Sequence, residues 1–513
     1  MITLRRKSTR KLDTTLLIIA FLMGVFVRLI RPLSGAYPLN DGGLFFSMIE
    51  DLRNSSSLLP DFTSYNHSQI PYAYPPLAFF LTGLLEKLTR IPVMMLIRLL
   101  PLLISCLALL AFYRLARQLL ANRREAVLAT MGFALLPMAF DPLIVGAGLT
   151  RAPGFVFALL TLAELNALYT TLDNKHLVWT IVFASLTVLS HPGMAWFTAY
   201  SSLILLLFKR QRALQRLKIS FWAAAGTIVL TAPWWLTIML RHGFKVLLSP
   251  FQAETFSITA FLLPFSFLFT NEPLVTFWAV FCFLGIAICL QSGQWHLPAW
   301  LLGVFVFDPR LGAVYTAAPT AFLAAIGLKK ALSLEATNQA EEKQNQGAPI
   351  KIIALGFLLL YGTVAAYLVP QQYERISPEQ AEVMRWVEEN TVEESSFLVV
   401  TGSPSYGKDY TSEWFPALSK RKSIATPQGH EWLPGKVFKK RVQLHTELQT
   451  CAGLDISCLE ELVTEFDLNP THIYISKKAL SENGFDSEKL IASLDKPTRP
   501  LYKNSTALIY KWP

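Results

Sequence analysis

The chain has 513 residues, of which 52% are hydrophobic and only 16% are charged, whereas a soluble protein usually carries about 25% charged residues. This composition excludes an ordinary soluble domain and is typical of a membrane protein. The net charge of +10 does not indicate nucleic-acid binding, because Lys and Arg are concentrated in short blocks beside apolar runs. We therefore expect no nucleic-acid partner.

Four basic blocks mark the cytoplasmic side of a membrane under the positive-inside rule. They lie at the N-terminus, at 114–124, at 209–218 and around Lys329 and Lys330. The segment 35–75 contains one basic residue, Arg53, and four acidic ones, so we interpret it as external. The blocks predict a plasma-membrane protein with a cytoplasmic N-terminus and an external C-terminus.

Apolar runs of about 18 to 20 residues are long enough to cross a bilayer. With alternating sides they predict about eleven transmembrane helices within residues 1–370, an α-helical polytopic membrane protein. The predicted spans are 14–34, 92–113, 125–140, 152–171, 177–190, 193–208, 219–239, 273–291, 297–308, 312–328 and 350–369. The shorter run 77–88 predicts a helix along the membrane interface, and 257–270 is interpreted as a partly inserted external segment.

The composition becomes mostly polar after Pro370, and residues 371–513 predict an external soluble α/β domain. A helix begins with Ser377 as its cap and Pro378 in its first turn. Short runs rich in β-formers follow at 397–401, 472–476 and 507–512. A disulfide between Cys451 and Cys458 is plausible, because the external compartment is oxidising.

Asp41 is the most informative residue, because it follows the first span and opens the long external loop 35–91. An ionisable group at a membrane rim is a functional hypothesis by default. The predicted topology places further polar and loop residues on the same side: Tyr74, Pro75, Pro76, Arg98, Asp141, Arg151, His191, Asp308 and Arg310. A carboxylate can act as a general base while Arg and His stabilise a phosphate leaving group. This combination suits glycosyl transfer from a lipid phosphate.

Each of these residues also has a purely structural interpretation. Asp41 could cap a helix that begins at Gly42, and His191 before a proline is often a polar turn residue. The three arginines at span ends could extend towards lipid headgroups. An aromatic run in the C-terminal region forms either a sugar-stacking surface or, as we favour, part of the core; its members are Trp414, Phe415, His430, Glu431 and Trp432.

Three motifs together resemble the GT-C superfamily of polytopic glycosyltransferases, which includes protein O-mannosyltransferases and the aminoarabinose transferases of lipid A. Asp41 in LNDGGLFFSMIEDL opens the first external loop, and Tyr74-Pro75-Pro76-Leu77 closes it before an interfacial helix. Asp141 opens the second loop. The resemblance covers about residues 10–330.

The resemblance implies a polyprenyl-phosphate sugar as donor, with Asp41 as the base and Asp141 as a second acidic residue. Tyr74, Pro75 and Pro76 are the corresponding substrate-loop residues. The sequence departs from the family at Gly42, where many relatives have Glu. By their predicted side alone, the donor-phosphate candidates are Arg151, His191 and Arg310. No cofactor is implied with certainty, although outer-face carboxylates could hold a divalent metal.

The sequence thus predicts an inverting membrane glycosyltransferase that transfers sugar to an external acceptor, which could be a protein, a lipid or a glycan. Two other classes stay open. A transporter or flippase of a lipid-linked sugar would place charges inside spans, where Glu164 is the main candidate. A non-catalytic membrane protein could instead bind glycans through residues 371–513.

Overall fold

The structure is a computed structural model that describes residues 2–209, 211–253, 267–308, 313–333, 343–369, 373–495 and 499–513. Helices dominate the part before residue 370. They are α1 (Ile2–Leu33), α2 (Gly43–Asn54), α3 (Leu77–Thr89), α4 (Val93–Leu119), α5 (Arg123–Leu135), α6 (Asp141–Ile144), α7 (Gly148–Thr171), α8 (Asn174–Ser190), α9 (Pro192–Leu207), α10 (Ala213–His242), α11 (Phe244–Ala253), α12 (Phe277–Gln291), α13 (His296–Phe307), α14 (Ala313–Ser333) and α15 (Lys343–Leu368).

Each of the eleven predicted spans coincides with one of these helices. Among the described residues, five helices are long and apolar enough to cross a membrane, and they lie within α1, α4, α7, α10 and α15. The number rises to six if Arg123–Leu135 and Pro137–Ile144, which meet at an angle of 87°, form one bent span. The chain is therefore a multi-pass membrane protein, and the count of eleven spans stays a prediction.

The long helices bury one apolar face and expose another. In α1, Ala20 and Val27 are fully buried, whereas Leu22 and Phe26 are exposed. A helix that is apolar on all sides is typical of a membrane span, because its outer face contacts lipid instead of water. The buried faces of the helices form the main apolar core.

The first external loop is folded between α1 and α4. After α2 it forms a short hairpin of β1 (Phe62–Thr63) and β2 (Ile70–Pro71) and then enters α3. With 13 residues, α3 is about 20 Å long, which is too short to cross the ~30 Å hydrocarbon core. It coincides with the run 77–88 predicted to lie along the interface. Most of the segment 257–270 lies outside the described residues.

The C-terminal region contains a mixed sheet of order β4-β3-β5-β7-β6 flanked by helices. Its strands are β3 (Ser396–Val400), β4 (Lys422–Ser423), β5 (His472–Ser476), β6 (Tyr502–Lys503) and β7 (Ala507–Lys511). Its helices are α16 (Pro378–Asn390), α17 (Tyr410–Ser419), α18 (Val437–Thr450), α19 (Ile456–Glu465), α20 (Lys477–Glu482) and α21 (Glu488–Leu494). β3 is parallel to β4 and β5, whereas β7 is antiparallel to β5 and β6.

The three strands predicted from the sequence are confirmed as β3, β5 and β7. The predicted cap is also confirmed, because the Ser377 hydroxyl accepts the N–H of Gln380 while the Gln380 side chain accepts the N–H of Ser377. Cys451 and Cys458 form a disulfide.

The sheet packs against two different cores, because successive side chains of a strand point to opposite faces. Leu398 and Val400 of β3 face a core formed within the C-terminal region. Phe397 and Val399 face a second core that also contains side chains of α2 and α3. The first external loop and the C-terminal region therefore share one apolar core. Whether residues 371–513 are a separate domain stays a prediction.

Candidate functional site

A cavity of about 610 Å³ lies where the membrane helices, the first external loop and the C-terminal region meet. Residues predicted as site residues line it together: Asp41, Tyr74, Asp141, Arg151 and His191. Asp308 lines it as well. Pro75 and Pro76 are buried in front of α3 and are not among its lining residues. Arg310 lies outside the described residues.

The backbone around Asp41 is joined to the start of α7. The N–H of Ala147 donates to Oδ1 of Asp41 at 2.9 Å, and the N–H of Gly146 donates to the carbonyl of Leu39 at 2.9 Å. A Cβ atom at Gly146 would lie 1.6 Å from the Asp41 carbonyl oxygen. Only glycine permits this close approach of the two segments.

The Asp41 carboxyl is buried and its pKa is shifted by its surroundings. Burial raises its pKa, while the charge of Arg151 and the N–H of Ala147 act in the opposite direction. A carboxylate with a raised pKa accepts a proton more readily than an exposed one. The alternative in which Asp41 caps the following helix is wrong. The helix α2 begins at Gly43, and its cap residue is Gly42, so no side chain forms a cap hydrogen bond there.

Glu413 of α17 occupies the start of α2 instead. Its Oε2 accepts the N–H of Gly43 and its Oε1 accepts the N–H of Leu44, both at 2.9 Å. Burial, followed by the charge of Asp41, raises the pKa of Glu413 to about 8. Glu413 also lines the cavity, so the site contains an acidic neighbour of Asp41 that is distant in sequence.

Asn40 binds the C-terminal region through three hydrogen bonds. Its N–H donates to the carbonyl of Glu374 at 2.8 Å and its Nδ2 donates to the carbonyl of Gly407 at 3.2 Å. The indole N–H of Trp414 donates to the Asn40 carbonyl at 2.9 Å. Trp414 and Phe415 are fully buried, which confirms the core interpretation for these two residues.

Asp141 begins the short helix α6 and faces the same cavity. The hydroxyl of Tyr373 donates to its Oδ2 at 2.8 Å, whereas its Oδ1 is buried without a hydrogen-bond partner. Arg151 Nη1 donates to the carbonyl of Pro142 at 2.8 Å. The charge of Arg151 acts on both Asp41 and Asp141, so this guanidinium lies close to both carboxyl groups.

His191 lies at the junction of α8 and α9 and caps α9. Its Nδ1 accepts the N–H of Met194 at 3.3 Å, and its ring centroid lies 6.2 Å from that of Tyr74. The predicted turn position of His191 is therefore confirmed, and the same residue lines the cavity.

The hydroxyl of Tyr74 lies 3.2 Å from Oγ1 of Thr150, and burial raises the pKa of Tyr74 to about 12.

The C-terminal region supplies an aromatic wall to the cavity. Trp432 packs against Tyr74 with ring centroids 5.5 Å apart, and Tyr406 contacts Phe438 edge to face at 5.6 Å. Glu431 lines the cavity beside them. Trp432 belongs to the same apolar core as Trp414 and Phe415, which confirms the core interpretation for it as well, and it also borders the cavity together with Glu431.

The divalent metal considered from the sequence stays a prediction. Within the described residues there is no group of three or more His, Cys, Asp or Glu side chains that could hold a metal ion. Asp41, Asp141 and Asp308 are the carboxylates among the residues predicted to share one side, and all three line the cavity.

Several solved structures resemble this fold. An oligosaccharyltransferase of Archaeoglobus fulgidus, in complex with zinc and sulfate, has a TM-score of 0.57 and 14% sequence identity, with 96% of this chain and 72% of that chain covered. ArnT of Cupriavidus metallidurans, bound to undecaprenyl phosphate, has a TM-score of 0.52 and 13% identity, with 96% and 97% covered.

The mycobacterial arabinofuranosyltransferase AftD has a TM-score of 0.57 and 17% identity. The match covers 96% of this chain but only 39% of AftD. No protein-family model and no curated protein matches the sequence. The three solved structures are GT-C glycosyltransferases, so the chain has the GT-C fold, as the resemblance in sequence predicted.

Proposed function

We propose that the protein is a glycosyltransferase that moves a sugar from a polyprenyl-phosphate carrier to an acceptor on the outer face of the membrane. The observation that carries the proposal is the shared cavity of Asp41, Asp141, Arg151 and His191. The undecaprenyl phosphate bound to ArnT supports a carrier of this chemical class. In this orientation the N-terminus is cytoplasmic and the C-terminal region is external.

The reaction is a single displacement. Asp41 takes the proton of an acceptor hydroxyl as its oxygen attacks the anomeric carbon from the face opposite the phosphate. The bond between that carbon and the phosphate oxygen breaks, and its electron pair goes to the phosphate. Arg151 and His191 stabilise the charge that develops there. The anomeric configuration is inverted, and the polyprenyl phosphate leaves.

The acceptor is a protein, a lipid or a glycan, and it approaches from the aromatic wall of Tyr406, Trp432 and Phe438. Asp41 and Asp141 are the carboxylates that would contact a divalent cation. Loss of transfer in EDTA, with recovery on adding the cation, would assign one.

Transport of a lipid-linked sugar receives no comparable support. Glu164 is the buried acidic residue of α7 that a transporter would use, and it is paired with Arg114 and with His176, whose Nδ1 lies 2.7 Å from its Oε2. This pairing is sufficient to explain a buried carboxylate.

The test is Asp41→Asn in proteoliposomes supplied with a panel of radiolabelled polyprenyl-phosphate sugars and membrane extract as the source of acceptor. The wild type should transfer label, and Asp41→Asn should reduce the rate by about 100-fold or more, because general base catalysis contributes 10²–10⁴-fold. Asp467→Asn is the matched control, since Asp467 is exposed and has a positive φ that Asn tolerates. Equal rates for both variants would remove Asp41 from the mechanism.

A further inference from the structure

The segment that carries Asp41 has no regular structure to hold it. Asn40 has a φ of 56° and Gly42 a φ of 132°, both in a region that is unfavourable for most residues. A base must nevertheless stay within hydrogen-bond reach of the proton that it takes. Something outside the segment must therefore fix its conformation.

Glu413 is the side chain placed to do so. Its two carboxylate oxygens accept the N–H groups of Gly43 and Leu44, immediately after the turn that holds Asp41. These N–H groups begin α2, and a helix start leaves such groups without a partner inside the helix.

The glycine at position 43 fits this contact. A Cβ atom there would lie 2.8 Å from the carbonyl oxygen of Glu413 and 3.1 Å from its Oε2. Any larger residue at position 43 would push the Glu413 carboxylate away from the helix start. The two positions after Asp41 therefore require glycine for different reasons. Gly42 adopts the positive φ of the turn, and Gly43 leaves space for Glu413.

Glu413 itself is held on both sides. The hydroxyl of Tyr65 donates to the Glu413 carbonyl at 2.6 Å, and the next residue, Trp414, binds the carbonyl of Asn40. Asp409 caps the start of α17 by accepting the N–H of Ser412 at 3.0 Å. A residue supported in this way can impose its geometry on a neighbouring segment.

We propose that Glu413 is the acidic partner of Asp41, a positioning residue through which the C-terminal region holds the catalytic base in the cavity. The sequence lacks the Glu that many relatives carry directly after the first acidic residue. Here Glu413 brings a carboxyl group from α17 to the N–H groups of Gly43 and Leu44 at the start of α2. The proposal rests on the proposed function for its catalytic consequence, but the contact itself can be tested without turnover.

The experiment compares Glu413→Gln and Glu413→Ala with the exposed control Glu461→Gln in the full-length protein. Two measurements are made: kcat and KM with a radiolabelled polyprenyl-phosphate sugar, and hydrogen–deuterium exchange of peptides covering residues 40–48. Glu413→Ala should lower kcat by about 100-fold with little change in KM, because a displacement of about 1 Å costs that much. Exchange in residues 40–48 should become faster, whereas peptides of the sheet should not change.

Glu413→Gln keeps the size of the side chain and guards against a variant that fails to fold. Its amide oxygen can accept one of the two N–H groups, so its loss of kcat should be smaller, about tenfold. Ionisation of Glu413, whose pKa is about 8, should change the wild-type rate near that pH. The pH–rate profile of Glu413→Gln should lack this change, a difference that loss of structure alone would not produce.

Wild-type kcat in both Glu413 variants, or unchanged exchange in residues 40–48, would overturn the proposal. If the wild-type protein transfers no sugar from any donor, the proposed function fails. In that case the exchange measurement alone decides whether Glu413 holds the Asp41 segment, so the two failures are distinguishable.

Discussion

The Tyr373 hydroxyl donates a hydrogen bond of 2.8 Å to Oδ2 of Asp141. Tyr373 follows the last membrane helix, whereas Asp141 begins a short helix in the second loop. The bond therefore joins two segments that are more than 200 residues apart, with a sequence separation of 232. Oδ1 of Asp141 has no partner among the described residues, so Tyr373 is the group that fixes this carboxyl.

Tyr373→Phe should therefore weaken the site without disturbing its packing. Leaving a buried carboxyl without its hydrogen bond raises the free energy of the site by about 1–3 kcal/mol. If this increase affects the transition state, turnover should fall by roughly tenfold or more. Sugar-transfer rates and thermal unfolding measure the effect. Tyr502→Phe, at the far edge of the sheet, is the control; equal rates for the two variants would contradict a role for Tyr373.

Arg151→Gln should change both donor binding and the pH dependence of transfer. The positive charge of Arg151 lowers the pKa of Asp41, so its removal should raise that pKa. Asp41 would then stay protonated to a higher pH, and the acid limb of the kcat/KM profile should move upwards. Arg151→Lys keeps the charge and should keep the acid limb, while losing the planar two-pronged contact with a phosphate.

Donor affinity gives an independent check on Arg151. Both substitutions should raise KM for the polyprenyl-phosphate sugar, and Gln should raise it more than Lys. An unchanged KM in Arg151→Gln would show that this guanidinium does not contact the donor phosphate.

Gly146→Ala should abolish transfer by moving the Asp41 segment. The added Cβ would overlap the Asp41 carbonyl oxygen at 1.6 Å, so the chain has to separate from the start of α7. Gly356→Ala is the matched control, because a Cβ at Gly356 in α15 would meet no atom within 4 Å. In a helix that change is favourable by about 1 kcal/mol. Wild-type transfer by Gly146→Ala would contradict the close approach.

Thermal stability should depend on pH through Glu413. Its pKa is raised from the ordinary 4.5 to about 8 in the folded protein, so the folded state binds a proton that the unfolded chain has released. The contribution of this group is complete below about pH 4.5 and is lost as the pH rises through about 8. The unfolding temperature of the wild type should fall as the pH rises from about 5 to about 8 and level off above that, and Glu413→Gln should show a smaller fall.

The sequence predicted the helices, and it predicted that Asp41, Asp141, Arg151 and His191 lie on one side, because hydrophobic periodicity and the placement of Lys and Arg are local properties. The structure brings these four residues together around one cavity. The sequence also predicted β3, β5 and β7 from their runs of β-forming residues. It did not predict Glu413, because a carboxylate in an apolar helix looks the same in sequence whether it binds water or a distant N–H group. The sequence also did not predict the role of Tyr373, because its hydroxyl binds Asp141, which is distant in sequence.

The sequence favoured the core for Trp432, which is confirmed, but it did not predict that the same ring also borders the cavity. Trp414 and Trp432 lie in the same aromatic run, and composition does not distinguish a ring that packs in a core from one that borders a cavity.

The hydrogen bonds of Glu413 and Trp414 with the first external loop also constrain how the protein matures. The ribosome synthesises Asp41 and the first external loop long before it reaches α17. The loop therefore cannot form its hydrogen bonds with Glu413 and Trp414 until α17 has been synthesised. A chain that ends before residue 419 would insert its membrane helices, but its first external loop would lack the hydrogen bonds that a complete α17 provides. The Asp41 segment therefore acquires these hydrogen bonds only after α17 has been made.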